Sequence, residues 1–232
     1  MSIRRCRQVF NMQTDHAGIP LIADGMWELF MDSKRVIIVD YGLGNLHSVN
    51  KAVAKAGGKP EISASPEVIR EAEKIILPGV GAFADCMANL KRSGLIPVLR
   101  EHFLADKPFL GICLGMQALF ESSEEGPGVP GLGFFQGKVI YIPTKCKVPH
   151  VGWNHLHIKK SSPVEGEAEG KYVYFTHSYC CVPQDTSLIS SVCEHGTEIV
   201  AGICRGNIFG VQYHPEKSSC VGMEMLHRFV TL

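Results

Sequence analysis

From Val36 onward, short apolar runs rich in β-branched residues alternate with stretches of helical spacing. The first run, VIIVDY (Val36–Tyr41), is apolar along almost its whole length, which is typical of a strand covered on both faces. Two further strands are predicted at KIILPG (Lys74–Gly79) and PFLGIC (Pro108–Cys113), and a helix at Leu46–Ala56. Strands that alternate with helices form βαβ units, so an open, mostly parallel α/β sheet with flanking helices is predicted.

The second half of the chain is richer in strands. From residue 137 onward the runs VIYI, WNHLHI, YVYFTH, LISSV and IVAGIC follow one another with few helical stretches between them. The last strand is predicted at IFGVQYH (Ile208–His214), and a closing helix at Val221–Val230. We therefore expect some antiparallel strands in the later part of one twisted sheet. A single domain over residues 34–232 suits this length.

Residues 1–33 differ in character from the rest. Arg4, Arg5 and Arg7 are basic, but no long apolar segment or small-residue cleavage site follows them, so a secretory signal is not indicated. Met31 stands just ahead of the first strand. We predict that residues 1–33 are a disordered extension or lie upstream of the natural start, and we assign them no function.

Composition and charge argue against several classes of function. Lys and Arg number 23, as do Asp and Glu, which leaves no net charge to attract DNA, RNA or an anionic membrane. No apolar stretch approaches the roughly 20 residues that span a bilayer. The nine cysteines are scattered, and four of them show no CxxC spacing: Cys180, Cys181, Cys193 and Cys204. Buried free thiols in a reducing cytoplasm are predicted.

The segment GICLGMQ (Gly111–Gln117) carries the strongest chemical signal. An apolar strand runs into Cys113, which glycines at positions 111 and 115 flank, and a helix is predicted to begin at once. This G-x-C-x-G pattern is that of a nucleophile elbow. A thiol at a helix N-terminus faces free N–H groups that favour the thiolate, and the N–H of Leu114 would point toward an oxyanion beside the sulfur. A buried structural cysteine would not require both glycines.

A thiol nucleophile needs a base, and the base needs a group that orients it. YHPE (Tyr213–Glu216) supplies both, because His214 is predicted at the end of the last strand and Glu216 follows two residues later. In an extended chain residues i and i+2 point the same way, so Glu216 can reach Nδ1 of His214. Together with Cys113, this predicts a Cys–His–Glu triad. A third segment, PGVGAF (Pro78–Phe83), offers backbone N–H groups for an oxyanion, although a simple glycine-rich turn fits it equally well.

These motifs resemble those of the class I, triad-type glutamine amidotransferases. The resemblance is closest to the glutaminase subunits of imidazole glycerol phosphate synthase, an enzyme of histidine biosynthesis. It covers residues 36–232 and implies a flavodoxin-like α/β fold. Five segments carry it: DYGLGNLHSV (Asp40–Val49), LPGVGAF (Leu77–Phe83), PHVGWN (Pro149–Asn154), YFTHSY (Tyr174–Tyr179) and GVQYHPEKSS (Gly210–Ser219).

The resemblance implies that Cys113 attacks the side-chain amide of glutamine. His214 would protonate the departing ammonia and then activate water, while Glu216 orients the histidine. No cofactor is implied. The other residues implied in oxyanion or substrate binding are Gly79, Val80, Gly81, Leu114, Gln117, Ser178 and Tyr179. Glu125 matches a position that is conformationally coupled in the family, and its role stays open.

The resemblance also implies a partner. The family passes ammonia to a separate (β/α)8 cyclase, and 232 residues cannot also hold a barrel of roughly 250. A heterodimer that channels ammonia is therefore implied, with contact residues Asn45, Trp153, Tyr174 and Lys217. Core packing is the alternative for Trp153. A metal site is not expected at His150, His155 and His157, because they follow strand spacing and lack clustered carboxylates.

Three other functions are compatible with parts of this pattern. The same chemistry could serve anthranilate or guanylate synthesis, although DYGLGNL and PHVGWN favour the histidine pathway. A stand-alone cysteine hydrolase or peptidase could use a similar fold and would need no partner. A catalytically inactive regulatory subunit is the third alternative, and the intact set of Cys113, His214 and Glu216 argues against it.

Overall fold

The computed structural model describes residues 34–232, and the prediction made for residues 1–33 lies outside them. The strands are β1 Arg35–Val39, β2 Lys59–Ser63, β3 Ile75–Gly79, β4 Phe109–Cys113, β5 Ser122–Ser123, β6 Gly137–Tyr141, β7 His150–His155, β8 His157–Ile158, β9 Tyr172–His177, β10 Tyr179–Pro183, β11 Ile189–Glu194, β12 Glu198–Arg205 and β13 Ile208–Val211. The helices are α1 Leu46–Lys55, α2 Pro66–Glu71, α3 Phe83–Arg92, α4 Leu95–Leu104, α5 Leu114–Gln117 and α6 Ser219–Val230. Two 3-10 turns span Thr186–Leu188 and Pro215–Lys217.

The main sheet has eight strands in the order β2-β1-β3-β4-β13-β12-β11-β8. The first five strands in this order are parallel, and the last three pair antiparallel. The prediction of a mostly parallel sheet with later antiparallel strands is therefore confirmed. Because β4 and β13 are adjacent and parallel, the chain segments that leave their carboxyl ends lie side by side, where sites in α/β folds gather.

Some of the later strands lie outside the main sheet. Strands β10, β6 and β5 form a separate three-stranded sheet, and β7 pairs with β9 alone. Buried and more exposed residues alternate along β9, whereas every residue of β3, β4 and β13 is buried. A strand with one solvated face cannot occupy the centre of a sheet that helices cover on both sides.

The core lies on both faces of the main sheet. Successive residues of a strand point to opposite faces, so Ile37 packs in one apolar cluster and Ile38 in the other. Helices α1 and α6 cover the face of Ile38, and α3 and α4 cover the face of Ile37. Helix α2 begins with two residues that favour a helix start: the Ser65 hydroxyl accepts a hydrogen bond from the Val68 N–H (3.3 Å), and Pro66 is the first helical residue.

The cysteines and the apolar helices of the described residues bear on two predictions from the sequence. The cysteines within residues 34–232 are free thiols, and Cys180, Cys181, Cys193 and Cys204 are buried, as predicted. Within the same range, no helix combines the length and the apolar character that a membrane span requires.

A buried carboxyl group lies behind the segment that leads to His214. Glu165 is 4% exposed, and its Oε1 accepts hydrogen bonds from the Tyr213 hydroxyl (3.1 Å) and from the Ser191 hydroxyl. Oε2 is buried without a hydrogen-bond partner among the described residues. Burial raises the pKa of Glu165, and the hydroxyl hydrogen bonds oppose this shift only in part.

We expect Glu165→Gln to raise the melting temperature at pH 8. In the unfolded chain the Glu165 carboxyl group ionises near its ordinary pKa of about 4.3. In the folded protein its pKa is higher. The free energy of unfolding therefore falls as the pH rises from the unfolded pKa through the folded pKa. Glutamine keeps the neutral shape and does not ionise. Thermal unfolding at pH 4 and pH 8 should give a difference of several degrees at pH 8 only, and Glu167→Gln, on the exposed part of the same loop, should give none. A parent and variant with the same pH dependence would contradict the expectation.

Candidate active site

Cys113 lies at the sharp turn between β4 and α5. Its φ of 53° and ψ of −109° are outside the regions that side chains favour, at a cost on the order of 1–3 kcal/mol. The helix that follows is only one turn long. This strand–turn–helix geometry is the predicted elbow, and it presents the thiol at the carboxyl edge of the sheet.

The glycines around Cys113 let the turn pack directly on β3. A Cβ at Gly115 would lie 1.8 Å from the carbonyl oxygen of Leu77, and a Cβ at Gly111 would lie 2.8 Å from the carbonyl oxygen of Gly115. Gly79, the last residue of β3, is opposite Cys113 in the sheet register. Close approach of backbone to backbone is thus the physical reason for the G-x-C-x-G pattern.

His214 lies beyond the end of β13, which corrects the prediction that it ends the last strand. The strand stops at Val211, and the His214 N–H instead donates to the carbonyl of Tyr174 in β9 (2.9 Å). The Ser218 hydroxyl donates to the His214 carbonyl (2.6 Å). These two bonds hold the His214 backbone between β9 and the start of α6.

Glu216 contacts Nδ1 of His214 through its Oε1 at 2.8 Å, with both side chains at most 2% exposed. The predicted contact is present, but the predicted reason for it is wrong. Pro215–Lys217 is a 3-10 turn and not an extended segment, so the turn carries the carboxylate back to the ring. In this bond His214 carries a hydrogen on Nδ1 and donates it to Glu216. Nε2 therefore remains available for proton exchange with Cys113.

The charges in this group favour a protonated His214. Burial alone would lower the pKa of His214, but the Cys113 sulfur and the Glu216 carboxylate outweigh it and raise the pKa to about 9. Nε2 is buried and makes no hydrogen bond to the described residues. The arrangement can therefore stabilise an imidazolium beside a thiolate, which is the charge state that a cysteine nucleophile requires.

A glutamine that the sequence analysis did not single out also contacts the nucleophile. Gln212 Nε2 donates to Cys113 Sγ (3.5 Å), and Gln212 Oε1 accepts from Gln117 Nε2 (3.0 Å). Gln117 Nε2 also donates to the Tyr179 carbonyl (3.1 Å). A polar side chain directly after the fully apolar strand β13 was the signal that could have identified Gln212.

A cavity of about 370 Å³ opens in front of Cys113. Of the residues predicted to bind the oxyanion or substrate, all but Gly79 line it. Gly81 has a φ of 106°, with nothing within 4 Å of where a Cβ would be. The full lining is Val80, Gly81, Cys113, Leu114, Gln117, Glu125, Pro149, Thr176, His177, Ser178 and Tyr179.

Glu125, whose role the sequence left open, joins this cavity to α3. Its Oε2 accepts a hydrogen bond from the Phe83 N–H at 2.9 Å, at the start of that helix. The carboxylate thus compensates a free N–H at a helix N-terminus while it lines the cavity. Two residues separate Phe83 from Val80 in the sequence, so this bond anchors the segment that carries the predicted oxyanion donors.

The model of the family described as glutamine amidotransferase class-I matches residues 37–232. The chain belongs to this family. Its fold is also that of solved structures with low sequence identity. A glutamine amidotransferase crystal structure superposes with a TM-score of 0.67 at 15% identity, covering 84% of this chain and 96% of that one. PurLQS from Thermotoga maritima gives 0.64 at 21% identity, covering 84% and 94%.

The alignments of this amidotransferase with curated relatives cover nearly the whole length of those relatives. The imidazole glycerol phosphate synthase subunit HisH of Aquifex aeolicus is 47% identical over 198 residues, which are 84% of this chain and 95% of that protein. The subunit of the same name from Thermosynechococcus vestitus is 46% identical over 207 residues, covering 87% and 99%.

Three of the four predicted contact residues of this amidotransferase meet in one patch. The Trp153 and Tyr174 rings are 6.0 Å apart in an edge arrangement, and Lys217 Nζ lies 5.8 Å from the centre of the Tyr174 ring. Trp153 is 52% exposed, so core packing does not account for it. Asn45 lies elsewhere at the carboxyl edge of the sheet, immediately before α1.

His150, His155 and His157, at which no metal site was expected, do not come together as one group. His155 contacts His157 edge to face at 4.7 Å, whereas His150 contacts His177 and His195 instead. No cluster of three or more His, Cys, Asp or Glu side chains suited to a metal ion occurs in residues 34–232.

Proposed function

We propose that this amidotransferase hydrolyses glutamine to glutamate and ammonia, and that the ammonia serves a cyclase subunit in histidine biosynthesis. The observation that carries the chemistry is the group of Cys113, His214 and Glu216 at one end of a cavity of amino-acid size. The pathway is supported by the curated relatives, which are HisH subunits of imidazole glycerol phosphate synthase.

In the proposed reaction, the Cys113 thiolate attacks the side-chain amide carbon of glutamine. Backbone N–H groups of Leu114 and of the Val80–Gly81 segment stabilise the oxyanion of the tetrahedral intermediate. His214 gives its proton to the amide nitrogen, which leaves as ammonia, and a thioester remains on the sulfur. His214 then takes a proton from water, whose oxygen attacks the thioester and releases glutamate. Glu216 keeps the ring oriented throughout.

The remaining cavity residues would hold the substrate in place. Ser178, between β9 and β10, and Tyr179, the first residue of β10, suit the α-amino and carboxylate ends, and Gln117 lies one helical turn beyond the nucleophile. Gly79 leaves room for the turn that bears Cys113 and does not line the cavity. Glu125 adds a negative charge to the wall, which suits an α-ammonium group.

The proposed partner is a (β/α)8 cyclase that makes imidazole glycerol phosphate and an aminoimidazole carboxamide ribotide, in a cytoplasmic heterodimer. Support for a protein contact comes from the patch of Trp153, Tyr174 and Lys217, because surface tryptophan and tyrosine are enriched in protein interfaces. Asn45, immediately before α1, is the fourth proposed contact residue and lies apart from this patch. Direct transfer would keep ammonia from being protonated in water, and the free buried thiols suit a reducing compartment.

The proposal is tested by measuring glutamate release from glutamine, by the chain alone and together with a histidine-pathway cyclase and its ribonucleotide substrate. We expect strong stimulation by the cyclase complex, and a loss of about 10⁴-fold or more in Cys113→Ala, because the reaction then has no nucleophile. Stimulation by a partner from anthranilate or guanylate synthesis, and not by the cyclase, would assign the protein to that pathway instead. Full activity of the chain alone would identify a stand-alone hydrolase.

A further inference from the structure

A row of hydrogen bonds connects strand β7 with the wall of the cavity. Asn154 Nδ2 lies 3.3 Å from Nε2 of His150, and His150 Nδ1 lies 3.0 Å from Nε2 of His177. His177 Nδ1 in turn lies 2.8 Å from the carbonyl oxygen of Tyr179. Both histidines are buried, and neither has a part in the reaction proposed above.

The direction of every bond in this row follows from its two ends. At one end, the Tyr179 carbonyl can only accept, so His177 carries its hydrogen on Nδ1 and its Nε2 must accept from His150 Nδ1. At the other end, Asn154 Oδ1 accepts from the His155 N–H (2.9 Å), which leaves Nδ2 as a donor to Nε2 of His150. Both ends therefore fix the same direction, and all donors point toward the cavity.

The surroundings of the two rings keep this arrangement neutral. Burial lowers the pKa of His177 to about 3 and that of His150 to about 4. A protonated ring would have no nitrogen free to accept, so the neutral rings are the ones the row needs. His150 is also held between the rings of Phe175 and His195, with centroid distances of 4.7 and 4.2 Å.

The Tyr179 carbonyl joins this row to the nucleophile. It accepts from His177 on one side and from Gln117 on the other, and Gln117 also donates to Gln212. Gln117 Nε2 donates both of its bonds, so the Gln212 oxygen must face Gln117. The Gln212 nitrogen then faces Cys113 and donates to its Sγ. Donated hydrogen bonds stabilise a thiolate more than a thiol.

We propose that Asn154, His150 and His177 are positioning residues. They hold the Tyr179 carbonyl, which orients Gln117, and Gln117 in turn keeps Gln212 against the Cys113 sulfur. Loss of a donor in the row lets the carbonyl move, so that Gln117 and Gln212 no longer share one orientation. The sulfur then loses a donor, although none of the three residues touches it. The effect on turnover rests on the proposed function, whereas the effect on the sulfur does not.

The matched variants are His150→Leu and His150→Gln in the full chain. Leucine removes both hydrogen bonds of the ring, whereas the glutamine amide can accept from Asn154 and donate to His177. The measurement is the rate of alkylation of Cys113 by iodoacetamide on the acid limb of its pH profile, where the rate is proportional to the thiolate fraction. It is followed peptide by peptide with mass spectrometry. The exposed thiols Cys146 and Cys220 serve as references in the same sample.

We expect His150→Leu to slow alkylation of Cys113 by about fivefold, the factor that corresponds to one net hydrogen bond. His150→Gln should stay within about twofold of the parent, and the reference thiols should be unchanged. Equal rates in the parent and the leucine variant would overturn the proposal, as would equal slowing by leucine and glutamine. If His150→Leu does not fold, Asn154→Leu at the partly exposed end of the row takes its place, with the same direction expected.

Kinetics with glutamine then separate this proposal from the proposed function. With the cyclase partner, kcat/KM should fall about fivefold or more in the leucine variant and recover in the glutamine variant. If the alkylation rates follow the expected order but the chain hydrolyses no glutamine, the positioning role of the row is supported and the proposed amidotransferase reaction is wrong.

Discussion

Glu216→Gln should lower kcat for glutamine hydrolysis by about 10³–10⁴-fold and leave KM nearly unchanged, because the carboxylate acts on the base and not on the substrate. Glu216 Oε1 accepts from His214 Nδ1 at 2.8 Å, and both side chains are buried. A glutamine amide nitrogen at this point would donate to Nδ1 and so place the ring hydrogen on Nε2. The nitrogen that faces Cys113 could then no longer take up the thiol proton.

The same substitution should also shift the pH profile. The Glu216 carboxylate is one of the groups that raise the pKa of His214 to about 9, so its removal lowers that pKa and moves the alkaline limb of kcat to lower pH. Glutamate release between pH 6 and 10 is the measurement. The control is Glu224→Gln on α6, an exposed residue paired with Arg228, which should leave kcat unchanged. A Glu216→Gln enzyme with more than a tenth of the parent kcat would rule out this role.

Gly115→Ala should destabilise the protein by about 4 kcal/mol or more, or prevent it from folding. The added methyl group would lie 1.8 Å from the carbonyl oxygen of Leu77. Both partners of this clash are tied to the backbone, so no side-chain rotation relieves it, and either β3 or the turn after Cys113 must move. Any folded fraction should have lost activity, because the turn that moves is the one that carries the nucleophile.

Urea unfolding of the parent and the variant measures this effect. Gly133→Ala is the matched control, since its added Cβ meets nothing within 4 Å and only its φ of 64° is unfavourable for alanine. That conformation costs about 1 kcal/mol. Two variants of equal stability would show that close packing on β3 is not what the glycine provides.

Several elements could be predicted from the sequence because their causes are local. The apolar run at Ile75–Gly79 predicts a strand buried on both faces, and Ser65 before Pro66 predicts a helix start. Other features could not be predicted in this way. The placement of β7 and β9 in their own sheet depends on which surfaces remain covered once the main sheet is assembled, which periodicity does not encode.

The site shows the same division between local and distant causes. The glycines around Cys113 predicted the elbow, and the two-residue spacing of His214 and Glu216 predicted their contact, although a 3-10 turn produces it. Gln212 escaped prediction because its partners lie 95 and 99 positions away in the chain. The His150–His177 contact likewise depends on the pairing of β7 with β9.

The sequence by itself determined the α/β class, the central strands, the elbow at Cys113 and the contact of His214 with Glu216, because each depends on residues within a few positions of one another. The tertiary structure decided that β4 and β13 are neighbours, with Ile112 opposite Val211. That register brings Cys113 beside a base about 100 residues later in the chain. Strand adjacency is set by the burial of every element at once, and a local pattern of apolar residues carries no record of it.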